Sequence, residues 1–385
     1  MFSVFSECFS QQGGKKVVIG YIAGWKGVDP NKTPAEKLTH INYAFANVVD
    51  GIVTSGEGLA ERDSLNFLKL HSLKSRNPDL KVLVSIGGWT WSKGFSDAAL
   101  TPESRKKLIA SGIDFLIKHK LDGLDFDWEY PALQGDNNVV RDIDKENFVS
   151  MLKSFREALD SLGAINRKHY LSTIASGGFR KYLEVNDLRS AAKYLDLVNI
   201  MSYDLFGAGD DTTGHHANLY KGNQAMMPAS KQNRSVQSAV LDHIEFGIPR
   251  EKIVLGIPFY GKRWKEVGPE NNGLYQPGIF DRGLSQDRIH EIQKDPSFKQ
   301  FWDYEAENSF LYSTEKREMV TFESLKSIEH KIYFMKKEHL AGVMFWELSE
   351  DPSGSLLNAI DSNIHWRITY IGCFPDFYSR EAESG

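Results

Sequence analysis

One recurrence restricts the fold more than anything else in the chain: eight short, continuous apolar runs, most of them followed by a stretch with helical spacing. The runs are residues 16–23, 38–46, 81–87, 121–128, 170–176, 195–203, 252–259 and 341–346. Unbroken apolar character, rather than alternation, is what parallel strands buried on both faces require. After the third run Ile109, Ile113, Leu116 and Ile117 recur at helical spacing, and after the fourth Phe148, Met151, Leu152, Phe155 and Leu159 do so. Thr101-Pro102 supplies a capping hydroxyl and a first-turn proline, while Gly247 and Pro249 end a helix that begins near Ser235. Eight strand–helix units in series predict an α/β protein, a closed (β/α)8 barrel of the TIM type. An open doubly wound sheet fits less well, because no glycine-rich phosphate turn follows the first run.

The rhythm breaks once. About eighty residues separate the seventh run from the eighth, where one unit needs roughly 30 to 40. An inserted α+β module over residues 264–322 is expected, from a Gly/Pro/Asn-rich opening and the strand-like pieces FWDY, SFLYS and EMVTF. The barrel then occupies 14–263 and 323–365, resuming with a helix over 323–338, and 1–13 and 366–385 read as terminal tails. The net charge of −5 and the lack of a Lys/Arg-dense stripe argue against a nucleic-acid surface. No apolar run approaches the roughly 18 to 20 residues of a membrane span. Cys8 and Cys373 are the only cysteines, so disulfides are not expected to hold the domain together. The opening MFSVFSECFSQQ lacks the basic start and apolar core of an export signal.

The stretch richest in chemistry runs from Asp122 to Pro131, DGLDFDWEYP. Strand side chains alternate faces, so Asp125, Asp127 and Glu129 point the same way, into the carboxyl end of the barrel. Carboxylates so close repel one another, which forces some to hold protons at neutral pH and couples their titrations. A barrel that only had to pack would place Val, Ile or Leu there. Two other readings compete: a solvated or ion-paired edge, and a divalent cation site. The second suffers because the acids lie in a row with no histidine among them. His215-His216 reads as a loop contact and His40 as a hydrogen-bonded strand residue.

DGLDFDWEYP closely resembles the signature of glycoside hydrolase family 18, the chitinases. Three more motifs match in order: Ser85-Ile86-Gly87-Gly88 at the third strand, Met201-Ser202-Tyr203-Asp204 at the sixth, and Gly342 to Trp346 at the eighth. The resemblance spans about Lys16 to Gly354, insertion included. It implies cleavage of β-1,4 bonds between N-acetylglucosamine units in chitin or chitooligosaccharides, with retention of configuration. In this family the substrate's own acetamido oxygen is the nucleophile.

By the same resemblance Glu129 is the proton donor, Asp127 orients the acetamide, and Asp125 shares a proton with Asp127. Tyr203 would hold the acetamide carbonyl and Asp204 the same sugar, with Trp346 as the floor beneath it. Tyr21, Phe45, Trp89, Met201 and Tyr130 match positions around the cleft, where aromatic rings stack on sugar faces. One departure stands out, since Lys262 occupies a position where the family usually carries Arg. The chemistry implies neither a metal nor an organic cofactor, and a monomer is expected. It also implies a secreted, periplasmic or cell-surface protein whose export signal is absent from this chain. The alternatives are an endo-β-N-acetylglucosaminidase acting on N-glycans or other N-acetylated polymers, and a non-catalytic chitin-binding lectin.

Overall fold

The computed structural model describes residues 16–224, 227 and 229–365. Both cysteines and the whole of both expected tails, 1–13 and 366–385, lie outside these residues. In chain order the strands are β1 Val17–Ala23, β2 His40–Val49, β3 Ile52–Thr54, β4 Lys81–Gly87, β5 Gly123–Asp127, β6 Leu171–Gly177, β7 Leu197–Met201, β8 Ile253–Pro258, β9 Tyr260–Lys265, β10 Ile279–Ser285, β11 Lys299–Asp303, β12 Asn308–Ser313, β13 Glu318–Phe322 and β14 Gly342–Trp346. The helices are α1 Ala60–Ser72, α2 Phe95–Ala99, α3 Pro102–Lys118, α4 Asp144–Asn166, α5 Arg180–Val185, α6 Leu188–Ala191, α7 Val236–Glu245, α8 Gln286–Gln293, α9 Leu325–Lys337 and α10 Ser355–Ile364.

Eight parallel strands pair in the order β1-β14-β8-β7-β6-β5-β4-β2, and β1 pairs again with β2, which closes the (β/α)8 barrel. Each expected apolar run overlaps one of these strands, β2 continuing three residues and β6 one residue past the run. On β5 the alternation is direct: Leu124 and Phe126 face outward into the layer beneath the helices, where Phe126 meets the Phe155 ring of α4 at 4.7 Å. Truncating a ring buried this way costs about 3–5 kcal/mol. The inward positions differ in character. Ile19, Leu197, Val254 and Met344 form an apolar plug, and above it the interior turns polar with Ser85, Asp125, Thr173 and Asn199, all fully buried.

Helix ends follow the expected signals. Thr101 and Ser104 form a reciprocal capping box at the start of α3, and Ser235 caps α7 through Ser238 N–H. The inner face of α3 is set by Leu108, Phe115 and Leu116, whereas Ile117 is exposed, one residue out of phase with that stripe.

Between β8 and β14 lies a second, antiparallel sheet in the order β10-β9-β13-β12-β11, with α8 packed on it. The three strand-like pieces read from the sequence fall on β11, β12 and β13. The sheet begins at Tyr260, separated from barrel strand β8 only by Phe259, whose ring stacks on Phe345 of β14 at 4.0 Å. Residues of β9 are therefore delivered to the mouth of the barrel.

Candidate active site

A cavity of about 550 Å³ opens at the carboxyl ends of the barrel strands. Asp127, Glu129, Met201, Tyr203, Asp204, Tyr21, Phe45, Trp89 and Trp346 all line it. Asp125 lies beneath it, fully buried. Tyr130 is not part of the lining: its ring packs edge-on against Phe179 and Tyr182, while its hydroxyl hydrogen-bonds the Glu129 carboxyl from behind the cavity wall.

Asp125 is held by four donors. Its Oδ2 accepts from Tyr21 Oη at 2.8 Å and Ser85 Oγ at 2.7 Å, and its Oδ1 from Thr173 Oγ1 at 2.5 Å and Asn199 Nδ2 at 3.2 Å. Burial pushes this carboxyl up and the four hydrogen bonds pull it back, with a net rise. No hydrogen bond joins it to Asp127. Asp127 is 4% exposed, and its Oδ1 is buried with no protein partner. Burial, then the neighbouring Glu129 and Asp125 charges, drive its carboxyl well above the ordinary carboxylate range. Both carboxyls are thus shifted toward the protonated form, Asp127 further than the hydrogen-bonded Asp125.

Glu129 sits two residues beyond Asp127, facing the cavity, and pairs with no Lys, Arg or His among the described residues. Its carboxyl is pushed up to about 7, chiefly by burial, against a hydrogen bond from Tyr130 that lowers it, with the Asp204 charge adding to the rise. Its backbone is fixed by a residue the sequence did not single out: Glu129 N–H donates to Ser92 Oγ at 2.8 Å, and that hydroxyl lies 2.9 Å from Gly88 O and 3.1 Å from Asp127 O. Gly88 N–H in turn donates to Asp127 O at 2.7 Å. This close approach explains the paired glycines of the Ser85-Ile86-Gly87-Gly88 motif. Gly87 and Gly88 have φ of 105° and 83°, and a Cβ would strike the Asp127 carbonyl at the first and the Phe45 ring at the second.

Tyr203 and Asp204, adjacent in sequence, both reach the cavity because β7 has ended and Asp204 adopts φ 58°, turning the chain. Burial, then the charges of Asp127, Asp204 and Glu129, raise the Tyr203 hydroxyl so far that it stays a donor throughout the physiological range. Asp204 accepts from Tyr260 Oη at 2.6 Å and faces Lys262 Nζ at 2.7 Å. Lys262, only 8% exposed, thus supplies its charge through Asp204. The two histidines of the 215–216 pair are buried and tie this loop to the second sheet, His215 to Asp303 at 3.2 Å and His216 to the Tyr260 carbonyl at 3.0 Å. His40 Nδ1 lies 2.7 Å from Thr39 Oγ1 in the barrel wall.

The aromatic floor is continuous. Trp346 stacks on Phe45 at 5.5 Å and touches Tyr21 at 5.7 Å, and Trp25 extends the row, 6.2 Å from Phe45. Trp25 and Trp89 remain 54% and 52% exposed, large rings left bare at a cavity mouth. Trp25, Arg62, Trp91 and Tyr260 were not anticipated. Trp25 had a usable signal, its place just beyond the first strand. Arg62, Trp91 and Tyr260 had none, since helix α1, a loop and the second sheet bring them in. Among the described residues no group of three or more His, Cys, Asp or Glu is arranged to hold a metal ion.

A barrel with this acidic row above a polar girdle and an aromatic floor defines a glycosidase-type cleft. The model of the glycosyl hydrolases family 18 matches residues 17–351, and the chain belongs to that family. Chitinase A1 of Niallia circulans is 32% identical over 90% of this chain and 58% of its own length. The chitinase ChiW of Paenibacillus sp. str. FPU-7 superposes with a TM-score of 0.83 at 36% identity, over 91% of this chain and 33% of that one. A family 18 N-acetylglucosaminidase from Paenibacillus barengoltzii gives a TM-score of 0.80 at 34% identity, over 90% and 99% of the two chains. The chain therefore spans a little over half of the first relative and a third of the second.

Proposed function

We propose that the protein is a chitinase that hydrolyses β-1,4 bonds between N-acetylglucosamine units by a retaining, substrate-assisted route. The observation that carries this reading is Glu129: a carboxyl group facing a ring-lined cavity, free of any basic partner, and pushed up to about 7 so that it holds a proton to give. In the first step Glu129 passes that proton to the glycosidic oxygen as the bond to the anomeric carbon breaks. The substrate's acetamido oxygen forms the new bond to that carbon, giving an oxazolinium ion. Glu129, now a carboxylate, takes a proton from the water that opens the ring.

Asp127, which has an oxygen without a protein partner, accepts the acetamide N–H through that oxygen. Tyr203 donates to the acetamide oxygen and holds it in line. Asp204 binds a sugar hydroxyl, and Trp346, Phe45 and Trp25 support sugar faces. Asp125 acts through Tyr21 and the strand framework as a positioning residue. The division into a barrel and an inserted α+β module, taken from Tyr260 to Phe322, is part of the same proposal. So is action outside the cytoplasm, where a polymer of this size is met; the ChiW relative is described as cell-surface-expressed.

The experiment is sugar release followed by NMR of the product anomers. N-acetylated oligomers should be cut with the β-anomer appearing first, and fully deacetylated oligomers should be inert because they carry no acetamide nucleophile. Comparable cleavage of deacetylated chains would overturn substrate assistance. Faster release from a high-mannose glycoprotein would reassign the substrate to N-glycans, and binding without turnover would leave a lectin.

A further inference from the structure

A second concavity lies on the other side of the inserted sheet. It has a volume of about 630 Å³ and shares no lining residue with the catalytic cleft. Its construction follows from the sheet register. Trp302 of β11 lies opposite Ser309 of β12, which lies opposite Phe322 of β13, so the three share one face. Helix α8 covers only part of that face, its Ile289 packing into a cluster with Leu311, Val320 and Phe322. Trp302 and Gln300 are left uncovered by that cluster and, with the buried Ser309 at its base, line a trough whose far wall is the start of α9 and α10.

The wall contributed by α8 is built from amides. Gln286, His290 and Gln293 recur at intervals of four and three residues, one helical face, and all three line the trough. Gln286 is 2% exposed, yet its Nε2 has no hydrogen-bond partner. Leaving such an amide nitrogen unpaired is unfavourable unless something else comes to it. Gln293 Nε2 donates to Gln300 Oε1 at 3.0 Å, which leaves the Gln293 carbonyl and the Gln300 amide nitrogen free to face a ligand. Glu323, the one acid in the lining, is already bound to Lys331 and Ser327. The remaining charge is Lys326, whose ammonium lies 4.2 Å from the Trp302 ring centroid and 5.4 Å from that of Tyr304. Such a contact by an exposed lysine is weak enough for a sugar ring to replace.

We propose that this trough is a second carbohydrate-binding site, taking a neutral acetamido-sugar chain with one ring stacked on Trp302. Paired amide donors and acceptors match hydroxyl and acetamido groups, and an indole matches the apolar face of a pyranose. A phosphate-like anion fits poorly, because the trough offers it a single exposed lysine. The ligand class rests on the substrate proposed above. The site would tether a polymer on the inserted module while the barrel works on it, raising the effective concentration of chain at the cleft.

The test titrates N-acetylglucosamine hexamer into the full chain carrying Glu129→Gln, with and without Trp302→Ala, by isothermal calorimetry up to the hexamer's solubility limit. Two binding events in the parent and one in the Trp302→Ala form are expected, with Gln300→Ala weakening the same event by about three- to tenfold. In the active enzyme Trp302→Ala should lower retention on insoluble chitin while leaving cleavage of the soluble tetramer within about twofold. Identical binding in both forms, or a single event that Trp302→Ala leaves intact, overturns the trough. Turnover of the tetramer by the unsubstituted chain is measured beside it. A working enzyme with no second event sinks only the trough, whereas a Trp302-dependent event on an inert chain sinks only the catalytic reading. If Trp302→Ala does not fold, Gln300→Ala carries the same comparison.

Discussion

Lys262 Nζ lies 2.7 Å from Asp204 Oδ1, and this pair links the inserted sheet to the loop after β7 at the edge of the cleft. Asp204 is one of the charges that raise the Glu129 carboxyl, after burial. The ammonium therefore moderates the field felt by the proton donor. Lys262→Met should shift the high-pH descent of kcat upward, as Glu129 keeps its proton longer. A pH–rate profile reads the effect, and a descent that stays put or moves down contradicts it. Gly207→Ala should act in the same direction, because a Cβ there would collide with the Lys262 ammonium and displace it.

Glu129→Gln should lower kcat at least about 100-fold while oligomer affinity stays within about threefold. Glutamine keeps the shape and loses the transferable proton. Stopped assays and calorimetry on one preparation check the two halves together.

The same carboxyl makes stability depend on pH. Its folded-state value of about 7 lies above the ordinary 4.5, so the folded chain binds the proton more tightly than the unfolded one. Its contribution is present in full below about 4.5 and is lost as pH rises through about 7. The difference in Tm between the parent and Glu129→Gln should change across that window, with the parent losing ground toward high pH. A difference that is flat across the window would show that Glu129 ionises normally.

Asp125→Ala should destabilise the fold by about 3–5 kcal/mol, since it strands four buried donors in the barrel interior. Urea titration measures this. A loss below about 1 kcal/mol would mean that those donors find other acceptors.

Trp346→Ala should raise KM for oligomers by about tenfold, roughly 1.4 kcal/mol, by removing the ring that Phe45 and Tyr21 brace. Initial-rate kinetics would detect it, and an unchanged KM would remove Trp346 from the sugar floor.

The barrel was legible because buried parallel strands need unbroken apolar runs, and Leu124, Phe126 and their counterparts supply them. The acidic row was legible because strand alternation fixes where Asp125, Asp127 and Glu129 point. What escaped depended on contacts distant in the chain. Nothing local in Ser92 says that its hydroxyl will hold Glu129 N–H. Tyr260 and Lys262 read as a continuation of the seventh barrel unit, since only Phe259 separates β8 from β9. Tyr130 shares its motif with Glu129, but that its ring would pack between Phe179 and Tyr182 depends on residues about fifty positions away. The hydroxyl and amide groups that hold Asp125 sit on other strands, so its hydrogen-bond set was not legible from its own motif.

Those groups come from β1, β4, β6 and β7, so one carboxylate on β5 gathers hydrogen bonds from half the staves of the barrel. An aspartate at this place is consequently a poor marker of turnover. A descendant that lost its acid at 129 and kept only sugar affinity would still need it to assemble, and selection for folding alone would preserve it.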